Sequence, residues 1–230
     1  MTEAPRYRHE LKYEIDPASY LALRQRLRPV MKPDGHALSD GRYLIRSVYF
    51  DNHSDKALRE KITGADRREK FRVRYYNDDF SYITLEKKEK RAGLCRKTDA
   101  ALTEDECRAL LSGDTAWMAA HADPLVRELY VKMKTQLLRP RVLVSYLREP
   151  YVFAAGNVRV TFDSRIRTSL WHRSFLEREV HDVSATDAPG DMVLEVKFDD
   201  FLPDVIAHLI QSETLRQRAF SKYGVCRRFG

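Results

Sequence analysis

Apolar and polar positions alternate along the β-type segments of this chain, and the polar side of each alternation is charged. Tyr7, His9, Leu11 and Tyr13 interleave with Arg6, Arg8, Glu10 and Lys12. Phe71, Val73 and Tyr75 interleave with Lys70, Arg72 and Arg74, and Leu194, Val196 and Phe198 with Glu195 and Lys197. Successive strand residues point to opposite faces, so each segment has one charged side and one apolar side. An antiparallel sheet can turn such a face to water. Here the charges come as tight Arg-x-Arg and Glu-x-Lys pairs on separate strands. That pattern suits a barrel whose lumen binds a polyanion and whose apolar exterior is covered by helices.

The same patterning predicts the elements. Arg6 to Ile15 reads as a strand, followed by a helix to about Arg28 with Asp16 as N-cap and Pro17 at the first helical position. Tyr43 to Phe50 reads as a strand and Ser54 to Ile62 as a short helix closed by Gly64. Lys70 to Tyr76 and Tyr82 to Lys90 form a hairpin about Asn77-Asp78-Asp79, with a short strand at Cys95 to Thr98. Thr103 and Glu106 make a capping box for a helix ending near Gly113, and Pro124 to Leu138 repeats Leu125, Leu129, Met133 and Leu137 at helical spacing. Strands follow at Arg141 to Arg148, Tyr151 to Ala154 and Asn157 to Asp163. Arg165 to Thr168 continues the last of these or begins another, Phe175 to His181 is a further candidate, and Met192 to Phe198 is a strand. Pro203 to Ile210 and Ser212 to Ala219 read as helices. No repeat, low-complexity tract or linker interrupts the chain, so one α+β domain over 1–230, dominated by antiparallel strands, accounts for it.

Length, 230 residues, is ample for a core, and 33% charged residues with a net charge of +7 favour an anionic partner. Cys95, Cys107 and Cys226 have no metal or disulfide spacing and are expected to be reduced thiols. No signal-peptide-like stretch and no 18-residue apolar run is present, so a cytoplasmic protein is expected, with a peripheral contact to a membrane or membrane protein left open.

Chemistry enters through the repeated cations. Glu86 with Lys88, Arg148 after Tyr146, Arg159 before Thr161 and Asp163, and Glu195 with Lys197 repeat the Lys70, Arg72 and Arg74 motif in the same parity. Converging Arg forks and Lys ammonium groups neutralise a triphosphate and stabilise a phosphoryl transition state. Solvated strand faces would be the plain alternative for any one strand. Glu10, Glu86 and Glu195 each lie two residues from a Lys. They bridge those lysines, or they hold Mg²⁺ or Mn²⁺, hard cations that take oxygen ligands. Glu195, alone with Lys197 in an apolar strand, is the strongest metal candidate. No phosphate loop, dinucleotide turn or His pair is present, and His172, His181, Trp117, Met118 and Trp171 read as surface, capping or packing residues.

Seven short motifs together resemble the VTC polyphosphate polymerase domain, named for the vacuolar transporter chaperone complex and a member of the triphosphate tunnel metalloenzymes. They are Arg8-His9-Glu10-Leu11-Lys12-Tyr13, Phe71-Arg72-Val73-Arg74-Tyr75, Leu85-Glu86-Lys87-Lys88, Ser145-Tyr146-Leu147-Arg148, Val158-Arg159-Val160-Thr161-Phe162-Asp163, Leu194-Glu195-Val196-Lys197 and Phe220-Ser221-Lys222-Tyr223-Gly224. The resemblance implies a closed antiparallel β-barrel with helices outside, binding ATP by its phosphates and passing the γ-phosphoryl group to phosphate or polyphosphate with Mn²⁺ or Mg²⁺. Carried over by motif, Lys12, Arg72, Arg74, Lys88, Arg148, Arg159 and Lys222 would grip phosphates. Arg8, Tyr146, Lys197 and Ser221 would support the substrate. Glu195 would bind metal, and Glu10 and Glu86 would join it or orient neighbouring cations. The related triphosphatase and cyclase branch opens Glu-x-Glu-x-Lys, whereas this chain has Arg-x-Glu-x-Lys, which fits the polymerase branch better. A stand-alone, bacterial-type member with loose nucleobase specificity and no specific nucleic-acid partner is therefore expected. A tunnel triphosphatase and a non-catalytic polyanion-binding module remain the alternatives.

Overall fold

Residues 7–186, 190–211, 215, 217 and 220–229 are described by a computed structural model. Arg6 and the expected helix at Ser212 to Ala219 (apart from Leu215 and Gln217) lie outside them. The strands are β1 (His9–Ile15), β2 (Lys32–Pro33), β3 (Tyr43–Asp51), β4 (Arg68–Tyr76), β5 (Asp79–Arg91), β6 (Leu94–Leu102), β7 (Arg139–Phe153), β8 (Val158–Ser169), β9 (Val183–Ser184) and β10 (Met192–Phe198). The helices are α1 (Pro17–Leu27), α2 (Lys56–Ile62), α3 (Glu104–Ser112), α4 (Pro124–Thr135), α5 (Asp204–Leu209) and α6 (Lys222–Cys226). One antiparallel sheet runs in the order β1-β10-β8-β7-β3-β4-β5-β6, with β2 on β7 and β9 on β8.

Local chemistry explains most boundaries. Asp16 accepts from the Ser19 backbone N–H, and Pro17 opens α1 as expected. Thr103 and Glu106 form both halves of the capping box of α3, which stops at Gly113 with φ +95°. The β4–β5 turn carries both Asn77 and Asp78 at φ +53°, the left-handed pair that a tight hairpin requires.

Three expectations are corrected. Arg141 to Arg148 and Tyr151 to Ala154 are a single strand, β7, running through Pro150. Pro150 lies past the end of the β3 ladder, where Tyr43 faces Arg148, so its missing N–H breaks no bond to β3. Phe175 to His181 is not a strand; residues His172–Leu176 form a 3₁₀ turn that buries Phe175 and Leu176. The barrel, finally, is open. Its edge strands β1 and β6 touch at one antiparallel bridge, Arg8 with Cys95, through hydrogen bonds of 2.8 and 2.9 Å. Cys95 is the second residue of β6, so as β1 advances from Arg8 its facing backbone is already the Ala92–Gly93 turn and no ladder can propagate.

Apolar residues cover the outer face of the curled sheet. Phe71, Val73, Ile83 and Leu85 pack under α3 and α4 with Leu110, Val126 and Leu129. Leu194, Val196, Val160 and Phe162 pack under α1 and α5 with Leu23, Leu27 and Ile206. Each such side chain, fully buried, contributes about 1.5–3 kcal/mol. Cys95, Cys107 and Cys226 are free and buried, and burial pushes the Cys107 and Cys226 thiols up to about 12. Among the described residues no helix is long and apolar enough to cross a membrane.

Candidate active site: a cationic lumen

Because the outer face of the curl is apolar, inward residues of β1, β3 to β8 and β10 converge inside it. They enclose a cavity of about 380 Å³. All of the sequence-predicted site residues except Ser221 line it: Arg8, Glu10, Lys12, Arg72, Arg74, Glu86, Lys88, Tyr146, Arg148, Arg159, Glu195, Lys197 and Lys222. Lys70, which the sequence pattern groups with Arg72 and Arg74, lines it as well, as do Arg96, Lys97 and Tyr49, to which sequence reasoning gave no role. Ser221 instead caps α6, accepting from the Gly224 N–H at 3.2 Å. It thereby starts the helix that delivers Lys222.

Register builds the carboxylate centre. Across β1 and β10, Lys12 faces Glu195 and Glu10 faces Lys197, so the four charges form a checkerboard. Lys12 Nζ lies 3.1 Å from Glu195 and 3.8 Å from Glu10. Lys197 Nζ lies 2.5 Å from Glu195 and 3.8 Å from Glu10, and Lys88 reaches Glu10 at 2.5 Å. Burial alone would raise both carboxyl pKa values. Lys197, Lys12, Arg148 and Lys88 overcome it at Glu195, and Lys12, Lys88 and Lys197 do so at Glu10, so both stay ionised well below the usual carboxylate range.

Arginines build the rest of the wall. Glu86 receives Arg72 Nε at 2.6 Å and Lys97 at 3.3 Å, with Arg74 at 3.7 Å. Arg72 also donates to Tyr49 Oη at 2.9 Å, and Arg74 to Ser47 Oγ at 2.9 Å and Tyr146 Oη at 3.0 Å. Asp163, fully buried, takes Arg148 bidentately at 2.6 and 2.7 Å and Lys222 at 2.5 Å. Its role was missed in the sequence because Lys222 is brought to it only by the fold. Tyr223 Oη donates to Asp51 Oδ2 at 2.6 Å, and Asp51 also accepts from the Ala57 N–H at 2.9 Å. This carboxylate therefore ties α6 to the start of α2 and aims Lys222 inward. Nearer the rim, Arg159 pairs with Asp34 at 2.7 Å and Arg8 with Asp199 at 2.6 Å.

Crowded cations shift their neighbours. Burial lowers the Lys70 ammonium, and Lys88, Lys12 and Arg72 add to it against Tyr49, leaving its pKa at about 7. Burial would raise the Tyr49 phenol, but Arg72, Lys70 and Arg74 bring it down to about 7. Lys70 Nζ lies 5.5 Å from the Tyr49 ring centre.

Glu10 and Glu195, on one diagonal of the checkerboard, are the carboxylates of this centre that could hold a divalent cation. Among the described residues no group of three or more His, Cys, Asp and Glu side chains is placed to bind a metal. An ion there would take these two carboxylates in place of their lysine partners and complete its oxygen ligands from phosphate. Glu86, enclosed by three cations, is placed to orient Arg72 and Arg74.

A family model, the VTC domain, matches residues 7–229. Among solved structures, a candidate adenylate cyclase from Bacillus halodurans superposes with a TM-score of 0.50 at 15% identity, covering 85% of this chain and 82% of that one. The PH1819 protein from Pyrococcus horikoshii OT3 gives a TM-score of 0.47 at 10% identity, covering 96% and 100%. No curated protein matches the chain.

Proposed function

Since the chain belongs to the VTC domain family, we propose that it is an ATP-dependent polyphosphate polymerase, transferring the γ-phosphoryl group to a growing phosphate chain inside the cationic lumen. One observation carries this reading: twelve Lys and Arg side chains line the cavity against three Glu. The acids that pair Arg148, Lys222, Arg159, Arg8, Arg96 and Lys97 from outside it (Asp163, Asp34, Asp199, Glu89 and Asp99) still leave a cationic surplus. That surplus is useful only to a ligand carrying several negative charges. At about 4 Å, and at the effective dielectric of a protein site, each pairing is worth roughly 4 kcal/mol before desolvation.

In this reading Arg72, Arg74, Arg148 and Lys222, held by Glu86 and Asp163, meet the triphosphate with no reorganisation at the moment of transfer. Their forks address the non-bridging oxygens, where charge is spread in the transition state. Lys12, Lys88 and Lys197 face the acceptor. Glu10 and Glu195 would hold Mn²⁺ or Mg²⁺, which when bound neutralises phosphate charge and positions donor and acceptor. A phosphate acceptor is favoured over water by charge: an anionic acceptor is drawn to a wall of surplus cations, whereas neutral water gains nothing from them.

Purified protein incubated with ATP and Mn²⁺, with products resolved on a polyphosphate gel beside ADP and free-phosphate assays, tests the proposal. A polymer ladder with equivalent ADP supports it. Free phosphate without polymer makes the protein a triphosphatase, and no nucleotide turnover makes it a binding module.

A further inference from the structure

On β8, Val160 and Phe162 pack outward, so Thr161 between them turns to the lumen side of the sheet with Arg159. It is 2% exposed, and among the described residues its hydroxyl oxygen has no hydrogen-bond partner. A buried hydroxyl left unpaired costs stability, a cost that valine, of the same shape, would avoid. Its neighbours narrow what the hydroxyl serves. On one side Thr161 faces Pro150 of β7, which has no polar side chain, and on the other it faces Glu195 of β10. Directly opposite residues of an antiparallel pair hold their Cβ atoms about 4.5–5.5 Å apart, so a threonine hydroxyl can reach a glutamate carboxylate. Along β8, Asp163 is already taken by Arg148 and Lys222, and Arg159 carries only donors. Glu195 is the acceptor that remains. Its two oxygens are held by ammonium groups, Lys197 on Oε1 at 2.5 Å and Lys12 on Oε2 at 3.1 Å.

We propose that Thr161 is a positioning residue for Glu195 in its cation-binding form: when Glu195 gives up its lysine partners to a divalent cation, the Thr161 O–H donates to the carboxylate and fixes its direction. The inference rests on the metal role proposed for Glu195 and adds what orients that carboxylate. A carboxylate that binds a metal is itself held by an outer hydrogen bond, and loss of that bond weakens metal binding by about 10–100-fold. An ammonium group cannot take this part, because its charge repels the cation on the same carboxylate. A hydroxyl is neutral and supplies the one donor required. The unpaired state of Thr161 in the lysine-bound arrangement follows directly, since both Glu195 oxygens are then engaged by stronger, charged donors.

The test is Mn²⁺ binding to the full chain, read from the electron paramagnetic resonance signal of the free ion, for the native protein and the T161V, T161S and E195Q variants. Denaturant melts without metal accompany it. T161V should lose about 10–100-fold in Mn²⁺ affinity, whereas T161S, which keeps the hydroxyl, should lose less than about threefold. E195Q should lose at least as much as T161V. In the melts T161V should be as stable as the native chain or more so, because an unpaired buried hydroxyl has been removed. A threonine serving only the fold would do the reverse, with a less stable T161V that binds Mn²⁺ as the native protein does. Native affinity in T161V, or equal losses in T161V and T161S, would overturn the role of Thr161, and a loss in E195Q alone would leave the metal reading standing. Native affinity in E195Q, or no Mn²⁺ binding by the native protein, would overturn the metal reading and this inference together.

Discussion

Two buried glutamates, Glu149 and Glu195, sit in opposite electrostatic settings. Glu149 lies outside the lumen beneath α1 and accepts from Tyr20 Oη at 2.5 Å, Arg24 Nε at 2.7 Å and the Tyr151 hydroxyl. One anion there meets one cation and two neutral phenols, and the cluster is closed. Burial would raise the Glu149 pKa, and the bonds from Arg24, Tyr151 and Tyr20 lower it. Glu195 has Lys12 and Lys197 in direct contact and Arg148 at 4.0 Å. Its surroundings hold more positive charge than it can balance. A balanced cluster stabilises the fold and needs nothing further, whereas a surplus is paid for in stability and is retained where a ligand completes it.

Glu195→Gln should break the contrast most sharply. Turnover of ATP should fall by about a thousandfold or more, while triphosphate affinity is retained or rises, because a negative charge leaves a cationic lumen. Steady-state kinetics beside calorimetric binding measures this, and full turnover would remove Glu195 from the metal role. Arg72→Ala and Arg74→Ala come next, each costing about 10²–10³ in turnover together with weaker triphosphate binding. If binding and turnover both survived, the surplus cations would not be facing substrate. Glu149→Gln should do the opposite, lowering unfolding free energy by about 1–3 kcal/mol in denaturant melts while turnover persists.

The smallest effect is in pH. Lys70 and Tyr49 titrate in the folded protein at about 7, below their ordinary values. Between about pH 7 and 10 the unfolded chain therefore holds more protons than the folded one. Stability of the ligand-free protein should rise with pH across that window through these groups, and be lost as pH falls through 7. Triphosphate affinity should move the other way, falling roughly tenfold from pH 6.5 to 8.5 as the Lys70 ammonium is lost and the Tyr49 phenolate forms. Melting temperatures and titrations at matched ionic strength would show it. A Lys70→Met variant with an unchanged pH profile would assign the effect elsewhere.

Local rules carry far in this molecule. The capping box at Thr103, the cap at Asp16 and the turn at Asn77-Asp78 act within a few residues, so the sequence alone locates α3, α1 and the β4–β5 hairpin. Strand parity did the same for the charged face, because the side-chain period of a strand is two wherever the strand lies. The VTC-type motifs named the family by the same route. Pairing across the sheet was not legible. Lys222 and Asp163 are 59 residues apart and meet only when α6 folds against the end of β3, and Glu149 finds Arg24 across 125 residues. The open seam between β1 and β6 was likewise hidden, since strand patterns specify faces but not where two edges run out of register. Sequence by itself thus determined which residues are cationic and that they share a face. Tertiary structure alone decided which of those charges are neutralised by a partner and which are left for a ligand, because Coulomb energies depend on distances that no local pattern sets.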